Sequence, residues 1–338
     1  MDKLVEELLA GSRRALARLL TVVENNRPNK QQVLAELFPH TGQAWVIGVT
    51  GAPGTGKSTL VNELTKAYRQ REQTVAILAV DPTSPFSGGA ILGDRIRMTD
   101  LHGDKGVFIR SMATRGSLGG LAYTTRDAVR VLDAAGFDII IVETVGAGQS
   151  EVDIVRTADT TLVIEAPGLG DDVQAIKAGI LEIADILVVN KADRMGADQT
   201  VRGLRAMLEL GHPSARNRFT SHHGRMLQAN DDKTHQADTV ADVWLPPVLK
   251  VSALERDGIE ALVEKIAAHR NHLQATGASD LLAARYIEIE LHERLQIVLM
   301  ERLTTTIPND ILQATIAQIR ARELDPHSAV EQLLNHYS

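Results

Sequence analysis

The sequence predicts an α/β fold, a mostly parallel central sheet flanked by helices, with a helical extension at the N-terminus and a helical arm at the C-terminus. Three observations carry this. Seven short, apolar, β-rich runs alternate with helical stretches between Ala44 and about residue 270, the pattern of parallel strands covered on both faces. The first run ends in Gly51-Ala52-Pro53-Gly54-Thr55-Gly56-Lys57-Ser58, a glycine-rich turn between a strand and a helix. Outside that region apolar residues recur at spacings of three and four, which is helical periodicity. These shifts divide the chain into an extension over 1–40, a central domain over 41–270 and an arm over 271–338.

In chain order, Val5, Leu8, Leu9, Leu16, Leu19, Leu20 and Val23 form a helical stripe that Asn25-Asn26-Arg27-Pro28 interrupts. Two helices joined by a turn are predicted there. The β-rich runs follow at 45–50, 74–80, 106–110, 138–143, 160–165, 185–190 and 247–251. In parallel sheets ligands sit beyond the carboxyl ends of the strands, and nearly every polar phrase of this chain falls at such an end. Residues 211–243, with Pro213, Asn217 and Asn230-Asp231-Asp232-Lys233, predict a long surface excursion. From Ile259 onward the pattern is helical. Leu281, Leu282, Tyr286, Ile289, Leu291, Leu295, Val298 and Leu299 give 280–303 a broad apolar face, and Pro308 and Pro326 separate two short terminal helices.

Composition narrows the function. The 338 residues contain no cysteine, which excludes a disulfide scaffold, a thiolate zinc site and a cysteine nucleophile. A net charge of -7 and a pI near 5.9 argue against nucleic-acid binding. Aromatics at 3% leave no stacking platform for single strands. The acidic start and the shortness of every apolar run predict no secretory leader and no membrane span, hence a cytoplasmic protein.

The turn at 51–58 is a GxxxxGK[ST] phosphate-binding loop. Gly51, Gly54 and Gly56 let backbone N–H groups turn toward phosphate oxygens, with Thr55, Ser58 and Thr59 beside them. Lys57 would neutralise the β- and γ-phosphates and the Ser58 hydroxyl would ligate Mg²⁺. Asn190-Lys191-Ala192-Asp193 is the NKxD phrase. Asp193 offers two acceptors to the ring N–H and exocyclic amine of guanine, a pairing adenine cannot return. Lys191 would lay its stem over the base, and Ser252-Ala253 would give a backbone N–H to the guanine carbonyl. GTP as substrate and GDP as product are therefore the expected nucleotides.

Asp81 and Glu143 end two further strands and are candidates to hold Mg²⁺ directly or through water. Glu143 stands where many GTPases carry an aspartate. The glycine-rich stretch 83–98 contains Asp94, Arg95 and Arg97, which suits a loop closing on metal and phosphate. Asp94 could reach the metal or its water, and either arginine could offset transition-state charge. The alternative is a structural loop with solvent-facing charges.

The ordered phrases Gly-x-Pro-Gly-x-Gly-Lys-Ser-Thr, Asp81-Pro82 with Gly88-Gly89-Ala90-Ile91-Leu92-Gly93-Asp94, Phe108-Ile109-Arg110, Leu118-Gly119-Gly120, Glu143-Thr144-Val145-Gly146-Ala147-Gly148-Gln149-Ser150 and Asn190-Lys191-Ala192-Asp193 resemble the MeaB/ArgK-type P-loop GTPases. These are relatives of the methylmalonic aciduria type A protein, and the resemblance covers nearly the whole chain. It implies a chaperone for an adenosylcobalamin-dependent acyl-CoA mutase, methylmalonyl-CoA mutase above all, in which GTP hydrolysis gates cofactor loading and protects the mutase. It further implies a homodimer built through the C-terminal arm, with a cobalamin adenosyltransferase as a candidate second partner. Ser58, Asp81, Asp94 and Glu143 would surround Mg²⁺, Arg97 would be the switch arginine, and 168–177 would be the loop coupling nucleotide to mutase. Thr83, Ala90, Arg95 and Ala147 depart from the family's usual residues without removing a ligand. Two competing functions are a nickel-insertion GTPase and an ATPase of lysine/arginine/ornithine transport. Against the first, the histidines at 212, 222, 223 and 235 have no regular ligand spacing; against the second, Asp193 selects guanine.

Overall fold

The computed structural model describes residues 2–82, 98, 100, 101, 103–114, 120–144, 157–168, 183–210 and 244–337. The chain divides into two units, Met1–Thr276 and Gly277–Ser338. The first contains α1 (Lys3–Leu9), α2 (Arg13–Glu24), α3 (Lys30–Leu37), β1 (Trp45–Thr50), α4 (Lys57–Gln70), β2 (Val75–Pro82), β3 (Val107–Thr114), α5 (Gly120–Ala134), β4 (Ile139–Thr144), β5 (Thr160–Glu165), β6 (Ile186–Val189), α6 (Ala197–Leu210), β7 (Val248–Lys250) and α7 (Ile259–Ala275).

All seven expected strands are present, and they pair only in parallel, in the order β3-β2-β4-β1-β5-β6-β7. β1 lies between β4 and β5, with Ile47 opposite Ile141 on one side and Thr160 on the other. The chain steps away from β1 in one direction through β2 and β3, and in the other through β5, β6 and β7. That reversal makes a crevice at the carboxyl end of β1. Every residue of β1 and β4 is buried, as the unalternating runs Trp45-Val46-Ile47 and Ile139-Ile140-Ile141-Val142 require.

The N-terminal stripe folds as three helices rather than two. The additional break is at Gly11, which takes φ 86, and at Ser12, whose hydroxyl accepts the Ala15 N–H at 3.3 Å as the cap of α2. These helices share one core with the sheet. Val5, Leu16, Leu20 and Val33 pack in the same cluster as Leu78 of β2, Met112 of β3, Ile140 of β4 and Leu132 of α5. Lys30 reinforces the packing through a 2.7 Å ion pair with the fully buried Asp127 of α5. Glu24 of α2 pairs with Arg110 of β3, giving the Phe108-Ile109-Arg110 phrase a structural use.

The second unit is helical: α8 (Ala278–Thr306), α9 (Asn309–Arg320) and α10 (Pro326–Tyr337). Gly277 starts α8 in the left-handed region at φ 67, and Pro308 and Pro326 mark the two later starts as the sequence predicts. Leu281, Ile287, Leu291, Leu295 and Leu299 of α8 are all exposed, and α9 has no buried residue.

Candidate nucleotide site

The phosphate loop occupies the crevice beyond β1, and its glycines are there for identifiable reasons. A side chain on Gly51 (φ 141) would place Cβ 2.1 Å from the Ile164 carbonyl oxygen of β5, and one on Gly56 (φ 88) would meet Asn190 Nδ2 at 2.6 Å. Gly56 also caps α4 in the left-handed conformation, so the first N–H groups of the helix face the loop. Thr55 Oγ1 donates to the Ala52 carbonyl at 2.9 Å and tightens the turn. Gly54 takes φ 82, and Thr59 lies exposed on the first turn of α4.

Lys57 is buried, with Nζ donating to the Gly51 carbonyl at 2.7 Å and the Ala52 carbonyl at 3.0 Å. Its ammonium is thus held across the turn. Beside it, Ser58 Oγ donates to Glu143 Oε1 at 2.7 Å. Both groups are buried, Glu143 to within 1% of complete. A hydroxyl and a carboxylate at the mouth of a phosphate loop form an all-oxygen pair, the donor chemistry that Mg²⁺ takes. The register opposes Ala79 to Glu143, so Asp81 sits two positions further along β2 at the same end of the sheet. Asp94, Arg97 and most of the loop expected to close on phosphate lie outside the described residues, as do most of 168–177 and all of 211–243.

The second half of the site is built from the ends of β6 and β7. Asn190 is buried, and its amide Nδ2 donates to the Thr55 carbonyl at 2.9 Å and the Gly56 carbonyl at 3.3 Å. Its Oδ1 accepts the Ala253 N–H at 3.1 Å. Asn190 therefore staples the phosphate loop to the segment after β7. The Ser252-Ala253 segment, expected to give a backbone N–H to a guanine carbonyl, is thereby fixed beside Asn190. Lys191 adopts φ 58 and lays its ammonium on the Gly54 carbonyl, carrying the stem across the loop. Ser252 Oγ donates to Asp193 Oδ1 at 2.7 Å, and this bond, before any other influence, holds the exposed Asp193 carboxyl below the usual aspartate range.

Two residues outside every motif join this arrangement. Ser252 and Asp257 exchange backbone hydrogen bonds at 3.0 and 3.1 Å, closing the turn that contains Ala253. Arg256, in that turn, donates from Nε to Glu63 Oε2 of α4 at 2.9 Å. No short-range pattern marks either residue, because the pair joins segments that only tertiary folding brings together.

A parallel sheet with a phosphate loop at its central strand, facing an NKxD segment, defines a P-loop GTPase. The chain belongs to the MeaB family: the family model described as methylmalonyl Co-A mutase-associated GTPase MeaB matches residues 16–307. Relatives extend over almost the entire chain. A protein of Pyrococcus abyssi is 44% identical over 334 residues, covering 99% of this chain and 96% of its own length. GTPase ArgK of Escherichia coli is 33% identical, covering 97% of this chain and 94% of its own. The mitochondrial methylmalonic aciduria type A homolog of Mus musculus is 33% identical over 82% of this chain and 65% of its own. Among solved structures, one titled LAO/AO transport system kinase superposes with a TM-score of 0.67 at 26% identity, covering 99% of this chain and 96% of that one. The protein is accordingly a GTPase whose nucleotides are GTP and GDP. Among the described residues no helix is long and apolar enough to cross a membrane.

Proposed function

We propose that this GTPase is Mg²⁺-dependent and acts as a chaperone for an adenosylcobalamin-dependent acyl-CoA mutase of the methylmalonyl-CoA mutase class, coupling GTP hydrolysis to cofactor loading and mutase protection. The observation that carries the chemistry is the buried Ser58–Glu143 pair beside Lys57 at the phosphate loop. The family description, a methylmalonyl Co-A mutase-associated GTPase, supports the client.

In this reading the turn amides from Gly51 to Ser58 grip the phosphates, and Lys57 places its charge on the β- and γ-oxygens. Ser58 and Glu143, with Asp81 and Asp94, hold Mg²⁺, which when bound screens the charge that develops between those phosphates. Arg97 supplies a further cation to the transition state. Asp193 reads the guanine N–H and amine, Lys191 covers the base, and Ser252 fixes the Asp193 rotamer. The arm 271–338 joins two copies through α8, since Leu281, Leu291, Leu295 and Leu299 are uncovered in one chain and a face this apolar marks an interaction surface.

The test is affinity capture from cell extract with the protein loaded with a non-hydrolysable GTP analogue or with GDP. Recovery of a cobalamin-dependent mutase subunit in a nucleotide-dependent amount is expected. Recovery of hydrogenase-maturation proteins instead would replace this client with nickel insertion. Sedimentation of the purified protein at micromolar concentration is expected to give a dimer.

A further inference from the structure

Besides Lys191 on the Gly54 carbonyl, two side chains among the described residues tie the phosphate-binding half of the site to the turn after β7, an inner and an outer. The inner one is Asn190, between the Thr55 and Gly56 carbonyls and the Ala253 N–H. The outer one is Glu63. Its position on α4 is just over one turn beyond Ser58, on the helix that begins with Lys57. Its side chain is only 11% exposed, and its two oxygens have different work. Oε1 accepts from Lys66 Nζ at 2.7 Å and from Asn62 Nδ2 at 3.1 Å, which fixes the carboxylate on the helix. Oε2 takes Arg256 at 2.9 Å.

Arg256 sits in the turn that ends with the Ser252–Asp257 backbone pair, and it takes φ 62. A non-glycine residue in the left-handed region is held there by its surroundings. Among the described residues Arg256 forms its ion pair with Glu63. The turn that Arg256 anchors presents Ser252, whose hydroxyl sets Asp193, and Ala253, whose N–H sets Asn190. A displacement of that turn moves the guanine acceptor relative to the phosphate loop.

We propose that Glu63 is a positioning residue for guanine selectivity: through Arg256 it holds the base-reading turn at a fixed distance from the phosphate-binding helix. This rests on Asp193 being the guanine reader. Arg256 is 69% exposed, so the pair works in high dielectric and its effect is modest, about two- to five-fold. Because it acts on the base and not on the phosphates, it affects GTP and GDP affinity alike and leaves the hydrolytic step alone.

The experiment measures kcat and KM for GTP and for inosine triphosphate, which lacks the exocyclic amine, in the full-length protein. Variants are Glu63→Gln, Arg256→Ala, their combination, and Arg256→Lys. Each single change is expected to raise KM for GTP about two- to five-fold at constant kcat and to lower the preference for GTP over inosine triphosphate. The combination should match either single change instead of multiplying them, and Arg256→Lys should recover part of the loss. Multiplicative effects, an unchanged nucleotide preference, or a fall in kcat at constant KM would each overturn the proposal. Asp193→Asn is run alongside with xanthosine triphosphate, which carries a carbonyl in place of the amine. If that variant does not shift preference from GTP toward xanthosine triphosphate, the guanine-reading assignment itself is wrong, whatever the Glu63 variants do.

Discussion

The two ends of the sheet handle their polar groups in opposite ways. At the amino end carboxylates take up the N–H groups where strands begin. Asp159 accepts from Val46 at 2.8 Å, Asp185 from Thr161 at 2.8 Å, Asp138 from Thr74 at 2.7 Å and Asp133 from Ala44 at 2.9 Å. Side chains then close that end. Trp45 Nε1 donates to Thr160 Oγ1 at 3.0 Å, the same oxygen lies 2.9 Å from His269 Nδ1, and Trp244 packs on His269 with ring centroids 4.9 Å apart. At the carboxyl end cations cover carbonyls, Lys57 on Gly51 and Ala52, and Lys191 on Gly54. With its carbonyls occupied by ammonium groups, that end is arranged to receive an anion through its amides. The amino end is finished within the protein and serves stability, whereas the carboxyl end is completed by a ligand.

Changes at the two ends are expected to separate turnover from stability. Lys57→Ala should have the largest effect, lowering GTP turnover about 10²–10³-fold with little change in melting temperature. Steady-state phosphate release alongside thermal unfolding checks both halves, and retained turnover would break the contrast. Asp193→Asn comes next, with kcat/KM for GTP falling about 10–100-fold through loss of charged hydrogen bonds and xanthosine triphosphate becoming the better substrate. Thr160→Val at the amino end should cost about 1–3 kcal/mol by stranding the Trp45 and His269 nitrogens, with KM for GTP unchanged. Denaturant titration gives the first quantity, and a raised KM would show that the ends communicate.

A pH slope is also expected. Burial, above all, pushes the Asp159 carboxyl up to about 6 from 3.8. Because the folded state binds this proton more tightly than the unfolded chain does, its contribution is fully present below the unfolded value. It is lost as pH rises through about 6. Asp159→Asn, which keeps an acceptor for Val46, should flatten that decline. Melting temperatures of both proteins between pH 4 and 7 test it, and identical profiles would place the proton elsewhere.

Much of the site was legible because its parts are local. The glycines at 51, 54 and 56 and the helix start at Lys57 follow each other within one turn, and the Asn190-Lys191-Ala192-Asp193 phrase ends a run whose burial its own composition announces. The role of Asn190 was not legible: a base-contacting motif and a staple between loops have the same spelling, and only the proximity of Thr55 and Ala253 separates them. The third N-terminal helix had a local signal in Gly11-Ser12, a left-handed residue followed by a cap. The continuous apolar stripe across that junction outweighed it.

By itself the sequence determined the seven strands, the phosphate loop at the end of the first, the NKxD phrase after the sixth and the helical ends, since each depends on residues near in the chain. The tertiary structure decided the order β3-β2-β4-β1-β5-β6-β7, the meeting of Ser58 with Glu143 across 85 residues of chain, and the Glu63–Arg256 link. The periodicity of a strand specifies which of its faces are buried but not which strand lies beside it. Neighbours are chosen by the packing of the whole core, and the site inherits its geometry from that choice.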